Sequence, residues 1–491
     1  MKNLFATLSM LLLFPVAGRV PAADLPHPDA VAGAIHEAAS FFRTRLSVAG
    51  GYASGWPGDL SEGRSEHRAS STVISIQPPG TPTVGMALLA GYRATGNPLL
   101  WQGAREAASA LLWCQLSSGG WGADFDFDPA VASRYHFRRD VLAGDEDAGK
   151  RSANSTLDDH ATTSALLFLL EMIHTPSGAD ERELTEAVRF GFDGLIRAQY
   201  PNGAWPQQYS GTPATGGSGM KASIPAGWPR EWPDEEYAGY YTLNDNNLLQ
   251  VMRLLLRAAE LTGEKHYTVR AKRLGDFLLL AQHDEPHPGW SQQYNEKMEP
   301  AWARKFEPPA ISSTESVGAI DALLELWIAT GEERYRDTLP AALDWLERCR
   351  LPDGQWARFY ELETNRPLYC ESVTYRLTYE DDDLPTHYGF KVGSLSGKIE
   401  RFRATLERPR DDLLRSRADP DSEAGWEKLA RSLKSKVGTA LETQEPDGYW
   451  LDGDVVQARL FVRHVSAMSR YVMAARRVAT PIWNEPGIPG R

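Results

Sequence analysis

The chain is poor in cysteine: Cys114, Cys349 and Cys370 are the only three in 491 residues. They cannot make a disulfide framework for a protein of this size, and at most one pair could form. Beyond the first residues the chain has no apolar run near the ~20 residues that a membrane span needs. It has no surplus of positive charge, with 52 Lys and Arg against 65 Asp and Glu and a net charge of −13. Nucleic acid is therefore excluded as a natural partner, and an acidic ligand would need local Arg clusters or bound divalent cations. No regular repeat of short strands is visible, which disfavours a parallel β fold. A hydrophobic content of 42% and a charged content of 24% exclude disordered and collagen-like chains.

Lys2, an apolar run from about Leu4 to Ala17 and small residues ending at Ala22-Ala23 predict a secretory signal peptide over 1–23. The expected mature chain, 24–491, is a single secreted or periplasmic domain with no membrane contact. Loss of Lys2 and Arg19 takes its charge to −15. Tryptophan is abundant, with fifteen residues, and some of these rings are expected in a groove where flat faces stack on sugars.

The organising signal is a repeat. An apolar helix ends at Thr-Gly or Ser-Gly, a second helix follows, and a turn of the form Gln-x-x-x-Gly-x-Trp, or a variant, closes the unit. Four copies run from Thr95, Ser177, Thr262 and Thr330 to Trp121, Trp205, Trp290 and Trp356, at intervals of 26, 28, 28 and 26 residues. Each glycine is expected at a helix C-terminus, where a positive φ is needed. A fifth turn ends at Trp450 after a helix predicted over Glu423 to Glu442. Segments such as ATTSALLFLLEMIH are apolar on all sides and read as helices walled in by others, whereas KRLGDFLLLAQ carries one apolar stripe. The expected fold is mainly α, an (α/α) toroid or barrel of helical hairpins. A small irregular β element is expected in 355–380 and a variable insert at about 380–435.

A ring of hairpins places the starts of its inner helices on one face. Those starts are QPPGTPTVG (77–85), TLDDHATTS (156–164), TLNDNNLLQ (242–250) and SSTESVGAI (312–320). They bring Asp158, Asp159, His160, Asn244, Asp245, Asn246 and Glu315 to one rim. Such residues cap helices, but two consecutive polar triplets exceed what a cap requires. Hard oxygen ligands from separate segments suit Ca²⁺, and the carboxylates among them are Asp158, Asp159, Asp245 and Glu315. Two loops after the Trp turns add cations, Arg304 in the first and Arg358, Arg366 and Arg376 in the second. Arginine's planar fork matches carboxylates, so acids beside arginines suit an anionic polymer such as a uronan, unless Glu307, Glu361 or Glu363 takes the arginines up.

LDDHATTSALLFLL, AQYPNGAWPQQYS, YYTLNDNNLLQVM, WSQQYNEKMEPAWARKFEPPAISSTES and WARFYELETNRPLY resemble the pectic acid lyases of polysaccharide lyase family ten. The likeness runs from about Gln77 to Tyr369, and it is weaker near the C-terminus. It implies a toroid-like fold that cleaves polygalacturonate by Ca²⁺-assisted β-elimination. By motif it puts the family's catalytic and cation-binding acids on Asp158 and Asp245 and its substrate arginines on Arg304 and Arg358. Arg366, Trp205, Trp302, Tyr360 and Asn244 complete the candidate substrate-binding set. One element departs from the family: where its base arginine is expected the chain reads PLYCESVTYRL, and Arg376 is the nearest candidate base. A uronan-binding homologue without the base, or a toroid glycoside hydrolase using Asp158 or Asp159 as general acid, are the alternatives.

Overall fold

A computed structural model describes residues 25–178, 181–211, 219–479 and Ile482; the expected signal peptide lies outside these. In chain order the helices are α1 (Pro28–Phe41), α2 (Thr81–Thr95), α3 (Pro98–Cys114), the short α4 (Pro129–Ala132) and α5 (Arg138–Leu142), α6 (Ala161–Ile173) and α7 (Arg182–Arg197). They continue with α8 (Asn247–Thr262), α9 (Lys265–Ala281), α10 (Ser313–Thr330), α11 (Arg334–Asp337), α12 (Leu339–Arg348), α13 (Ser396–Leu406), α14 (Arg410–Arg417), α15 (Glu423–Glu442) and α16 (Ala458–Ala475). None among the described residues is long and apolar enough to cross a membrane.

The inner layer runs α16, α2, α6, α8, α10, each packed on the next, and α3, α7, α9 and α12 back it from outside. Burial follows the sequence pattern. Inner α6 buries 10 of its 13 residues, whereas outer α7 buries 7 of 16, along one stripe. The chain ends join: α16 pairs with α1, which serves as its outer helix, and Gly55–Pro57 pairs antiparallel with Val455–Gln457. The molecule is thus an open α/α toroid rather than a closed barrel.

The Trp turns are what hold neighbouring hairpins together. In every copy the buried indole N–H donates to a carbonyl in the last turns of the preceding outer helix: Trp121 to Leu111, Trp205 to Leu195, Trp290 to Leu278, Trp356 to Leu346 and Trp450 to Ala440, at 2.6 to 2.9 Å. The amide of Gln115, Gln199, Gln282 or Gln444 donates to its own turn and to a carbonyl of the next outer element. A Cβ on Gly50, Gly119, Gly203 or Gly448 would come 2.0 to 2.9 Å from the backbone of that next helix, so only glycine allows the approach. Gly50 reveals a sixth turn, in which Tyr52 stands at the Trp place. The turn at Gly354 differs: Arg350 replaces the glutamine, and a Cβ there would meet only the Arg350 side chain. The toroid is open at this seam, where the short α13 and α14 bury only Ile399, Phe402 and Leu413.

Gly96, Gly263 and Gly331 end their helices with φ of 72°, 72° and 75°. Gly178 does not. Pro176 keeps the residue before it out of the helical region, α6 ends at Ile173, and Gly178 closes a short 3₁₀ turn instead. The β element of 355–380 is a meander of Phe359–Tyr360, Pro367–Cys370 and Leu377–Thr378, extended through Ile311–Ser312 to Trp290–Ser291. The three cysteines are buried free thiols.

Candidate functional site

Short strands bring the inner-helix starts into register. Ser155–Thr156 pairs with Gln208–Tyr209, Tyr241–Thr242 with Gln293–Tyr294, and Ile311–Ser312 with Phe359–Tyr360. Thr156 and Thr242 each lead into a 3₁₀ turn, Asp158–His160 and Asn244–Asn246, with the same distortion in both. Asp159 and His160 have φ of 44° and 63°, and Asp245 and Asn246 have 50° and 60°. Two adjacent L-residues in the left-handed region are costly, and backbone of this kind collects at functional sites. The two turns pack on each other, and the His160 Nε2–H donates to the Asp245 carbonyl at 2.7 Å. Asn246 reaches toward α10, where a Cβ on Gly318 would lie 2.3 Å from its Oδ1.

This packing gathers the acids. Burial, then the charges of Asp159 and Asp245, push Asp158 up to about 6. Burial and Asp245 likewise raise Asp159. Glu315, fully buried at the start of α10, is pushed up to about 7 by burial and by Asp245 against the pull of Arg358. Asp158 Oδ1, Asn244 Oδ1 and Glu315 Oε2 are buried without a hydrogen-bond partner. Among the described residues no three His, Cys, Asp or Glu side chains form a ready-made metal site. The unpartnered atoms of Asp158, Asn244 and Glu315 are nevertheless hard oxygen donors of the kind Ca²⁺ takes.

Arg304 and Arg358 face these acids. The Arg304 fork grips Glu307 through Nε at 2.8 Å and Nη2 at 2.5 Å. Burial alone would lower Arg304's basicity, but Glu307 raises it and is itself held below the usual carboxylate range. Arg304 also lies close enough to Asp158 and Asp159 to favour their ionised forms. Arg358 Nη1 lies 3.7 Å from Glu315 Oε1, and its Nε donates to the Gly389 carbonyl. Between them stands Tyr388, its ring 5.7 Å from Arg304 Cζ and 4.8 Å from Arg358 Cζ, its hydroxyl donating to Glu307 at 3.0 Å. Tyr388 comes from the segment expected to be a variable insert, and sequence reasoning missed it.

Other expected residues lie elsewhere. Trp205 and Tyr360 are completely enclosed, and the Tyr360 hydroxyl donates to the Cys349 carbonyl; both are structural. Trp302 is buried with its indole N–H on the Pro229 carbonyl, so it offers no open face. Arg366 stacks on Tyr379 at 3.6 Å, away from the acids. Arg376 is 76% exposed and bound to Glu371, which raises its basicity. A base needs the opposite, and Arg376 is not at this site. Among the described tryptophans, Trp113 and Trp232 are the exposed ones.

Residues 115–355 match the pectic acid lyase family model. This segment, just under half of the chain, resembles the pectic acid lyases. It contains both distorted turns, Glu315 and Arg304; Arg358 and Tyr388 lie beyond it. No curated protein matches the chain. Among solved structures, the family 10 polysaccharide lyase from Cellvibrio cellulosa, as a mutant in complex with trigalacturonic acid, is 20% identical with a TM-score of 0.46, covering 66% of this chain and 99% of its own. A family 76 glycoside hydrolase (mannosidase) from Bacteroides thetaiotaomicron is 11% identical, with a TM-score of 0.45 over 91% and 99%. Cellobiose 2-epimerase from Spirochaeta thermophila is 14% identical, with a TM-score of 0.41 over 69% and 74%.

Proposed function

We propose that the protein is a secreted or periplasmic lyase that binds polygalacturonate or a related uronan and cleaves it by Ca²⁺-assisted β-elimination. The observation that carries this reading is the pairing of one acid cluster, Asp158, Asp159 and Asp245, with two arginines braced on Tyr388. In a largely acidic protein this is a local place for an anionic sugar. Arg304 and Arg358 would hold uronate carboxylates, and Asp158 and Asp245 would hold the cation. A cation bound there supplies positive charge that makes the proton next to the carboxylate more acidic. In the reaction a base takes the C5 proton, a C4–C5 double bond forms, and the C4–O bond breaks with its electrons on the departing oxygen, which takes up a proton. Glu315, beside the cluster, has its carboxyl pushed toward neutrality by burial, and it can exchange a proton there.

One observation favours a second reading, a uronan-binding protein without turnover. Both candidate arginines with a resolved shift, Arg304 and Arg376, are made more basic by a glutamate. Incubation with polygalacturonate and Ca²⁺ separates the readings. The lyase gives a rising ultraviolet absorbance from the unsaturated uronide. Binding without that rise selects the second reading, and chain cleavage without a double bond indicates a hydrolase. No binding to any of a panel of uronans would overturn both uronan readings.

A further inference from the structure

Away from the acid cluster, a cavity of about 410 Å³ opens beside the end of α3. Its walls include Trp113, Phe127, Tyr135, Phe137, Arg139 and Arg151. Trp113 is 39% exposed, and it packs on Phe125 and Phe127 with ring centroids 5.3 and 5.0 Å away. The helical repeat does not require it. The corresponding place, two residues before the turn's Gln or Arg, holds Arg197, Leu280, Arg348 and Glu442 in the other copies. An aromatic ring occurs only in this one.

Arg139 lies between two of these rings, its Cζ 3.6 Å from the Trp113 centroid and 3.8 Å from that of Phe137. It donates to the Trp113 carbonyl and makes no ion pair among the described residues. Its neighbour Arg151 is already bound by Asp145 and Asp140. Burial lowers the basicity of Arg139 more than the charge of Asp140, which also lines the cavity and pairs with Arg151, restores it. The cavity therefore offers the part of the Trp113 indole that Arg139 does not cover and a guanidinium with no ion pair among the described residues, facing the two sides of a uronate: a ring surface of C–H groups and a carboxylate.

The loop 65–68 connects this place to the acid cluster. Asp159 senses the charges of Glu66 and His67. Arg68 of the same loop holds Asp124 at 2.9 Å, and Asp124 opens the strand whose Phe125 packs on Trp113.

We propose that the Trp113–Arg139 cavity is an outlying subsite for one uronate residue of an acidic polysaccharide whose chain also occupies the acid cluster. This rests on the function proposed above and adds to it a dependence on chain length. The test is calorimetric titration of the full chain, with Ca²⁺ present, using short and long oligogalacturonates and long neutral oligogalactosides. Long acidic oligomers should bind roughly ten-fold more tightly than short ones. Trp113→Ala and Arg139→Gln should each remove most of that gain, leaving short-oligomer affinity unchanged in the folded protein; Trp113→Ala should also lower the melting temperature, since it removes ring contacts with Phe125, Phe127 and Phe137. Trp113→Tyr should retain it, which distinguishes a lost stacking face from a damaged fold. The same length advantage in both variants, equal affinity of wild type for short and long oligomers, or an equal gain with neutral chains would overturn the subsite while leaving the functional reading standing. A wild type that binds no uronan of any length would overturn both.

Discussion

The ring of His160 and the carbonyl of Asp245, 85 positions apart, meet at 2.7 Å and tie the start of α6 to that of α8. This bond holds the two left-handed turns side by side. His160→Ala should remove it, at a cost of about 1 kcal/mol in stability. Uronan affinity should fall several-fold as the acids lose their relative placement. Thermal melting and calorimetry read the two effects separately.

The raised carboxyls give a pH dependence with a defined sign. Asp158 titrates at about 6 in the folded protein, against ~3.9 unfolded. Its ionisation therefore opposes folding: the contribution is least unfavourable below about 4 and grows as pH rises through 6. Asp158→Asn should raise the melting temperature at pH 7 more than at pH 4. Ca²⁺ should do the same for the wild type and much less for Asp158→Asn and Asp245→Asn. Calorimetric scans across pH with and without Ca²⁺ check this, and both variants should lose uronan turnover by about a hundred-fold or more.

Tyr388 stands between Arg304 and Arg358, so Tyr388→Ala should weaken uronan binding roughly ten-fold by loosening both cations. Tyr388→Phe keeps the ring and should lose less. Affinity for oligogalacturonate, compared between the two variants, separates the ring from the hydroxyl.

Arg376→Ala should leave turnover and melting temperature unchanged, since its only ion pair among the described residues is an exposed one with Glu371. Arg358→Ala should lower affinity and leave Glu315 without its counter-charge. Initial rates over a range of substrate concentration would show the contrast.

Trp205→Ala should cost about 3–5 kcal/mol in stability, because it empties a fully buried site and leaves the Leu195 carbonyl unpaired. At temperatures where the variant is folded, its substrate affinity should stay near that of the wild type. Denaturant unfolding and oligogalacturonate titration together test the structural role.

The sequence made the hairpins and the rim legible because their signals are local and repeated. TLDDH and TLNDN are visibly one motif, and four of the Trp turns follow their Thr-Gly or Ser-Gly by 26 or 28 residues. That repetition tells against the substrate-binding place given to Trp205: a residue recurring at every turn answers to the fold more than to one ligand. The union of α1 with α16 was not legible, since its partners lie at opposite ends of the chain and its turn carries Leu46 and Tyr52 in place of Gln and Trp. Tyr388 sits in a stretch without periodicity, and only tertiary packing brings its ring between two arginines. The Arg304–Glu307 grip was readable as a short-range pair. The displacement of Arg376 was not, because the direction of a side chain at the tip of a hairpin is set by its local turn.

The pairing of α1 with α16 bears on how the chain reaches its native state. During synthesis α1, the first of the described helices, can pack on α2 and α3 early, but the part of its apolar stripe that faces α16 stays uncovered until α16 has been made. Closing so long a stretch of chain is entropically expensive and slow compared with forming any single hairpin. A ribosome that stops before Ala458 therefore leaves a protein whose middle hairpins can fold while its opening helix remains unprotected on that side.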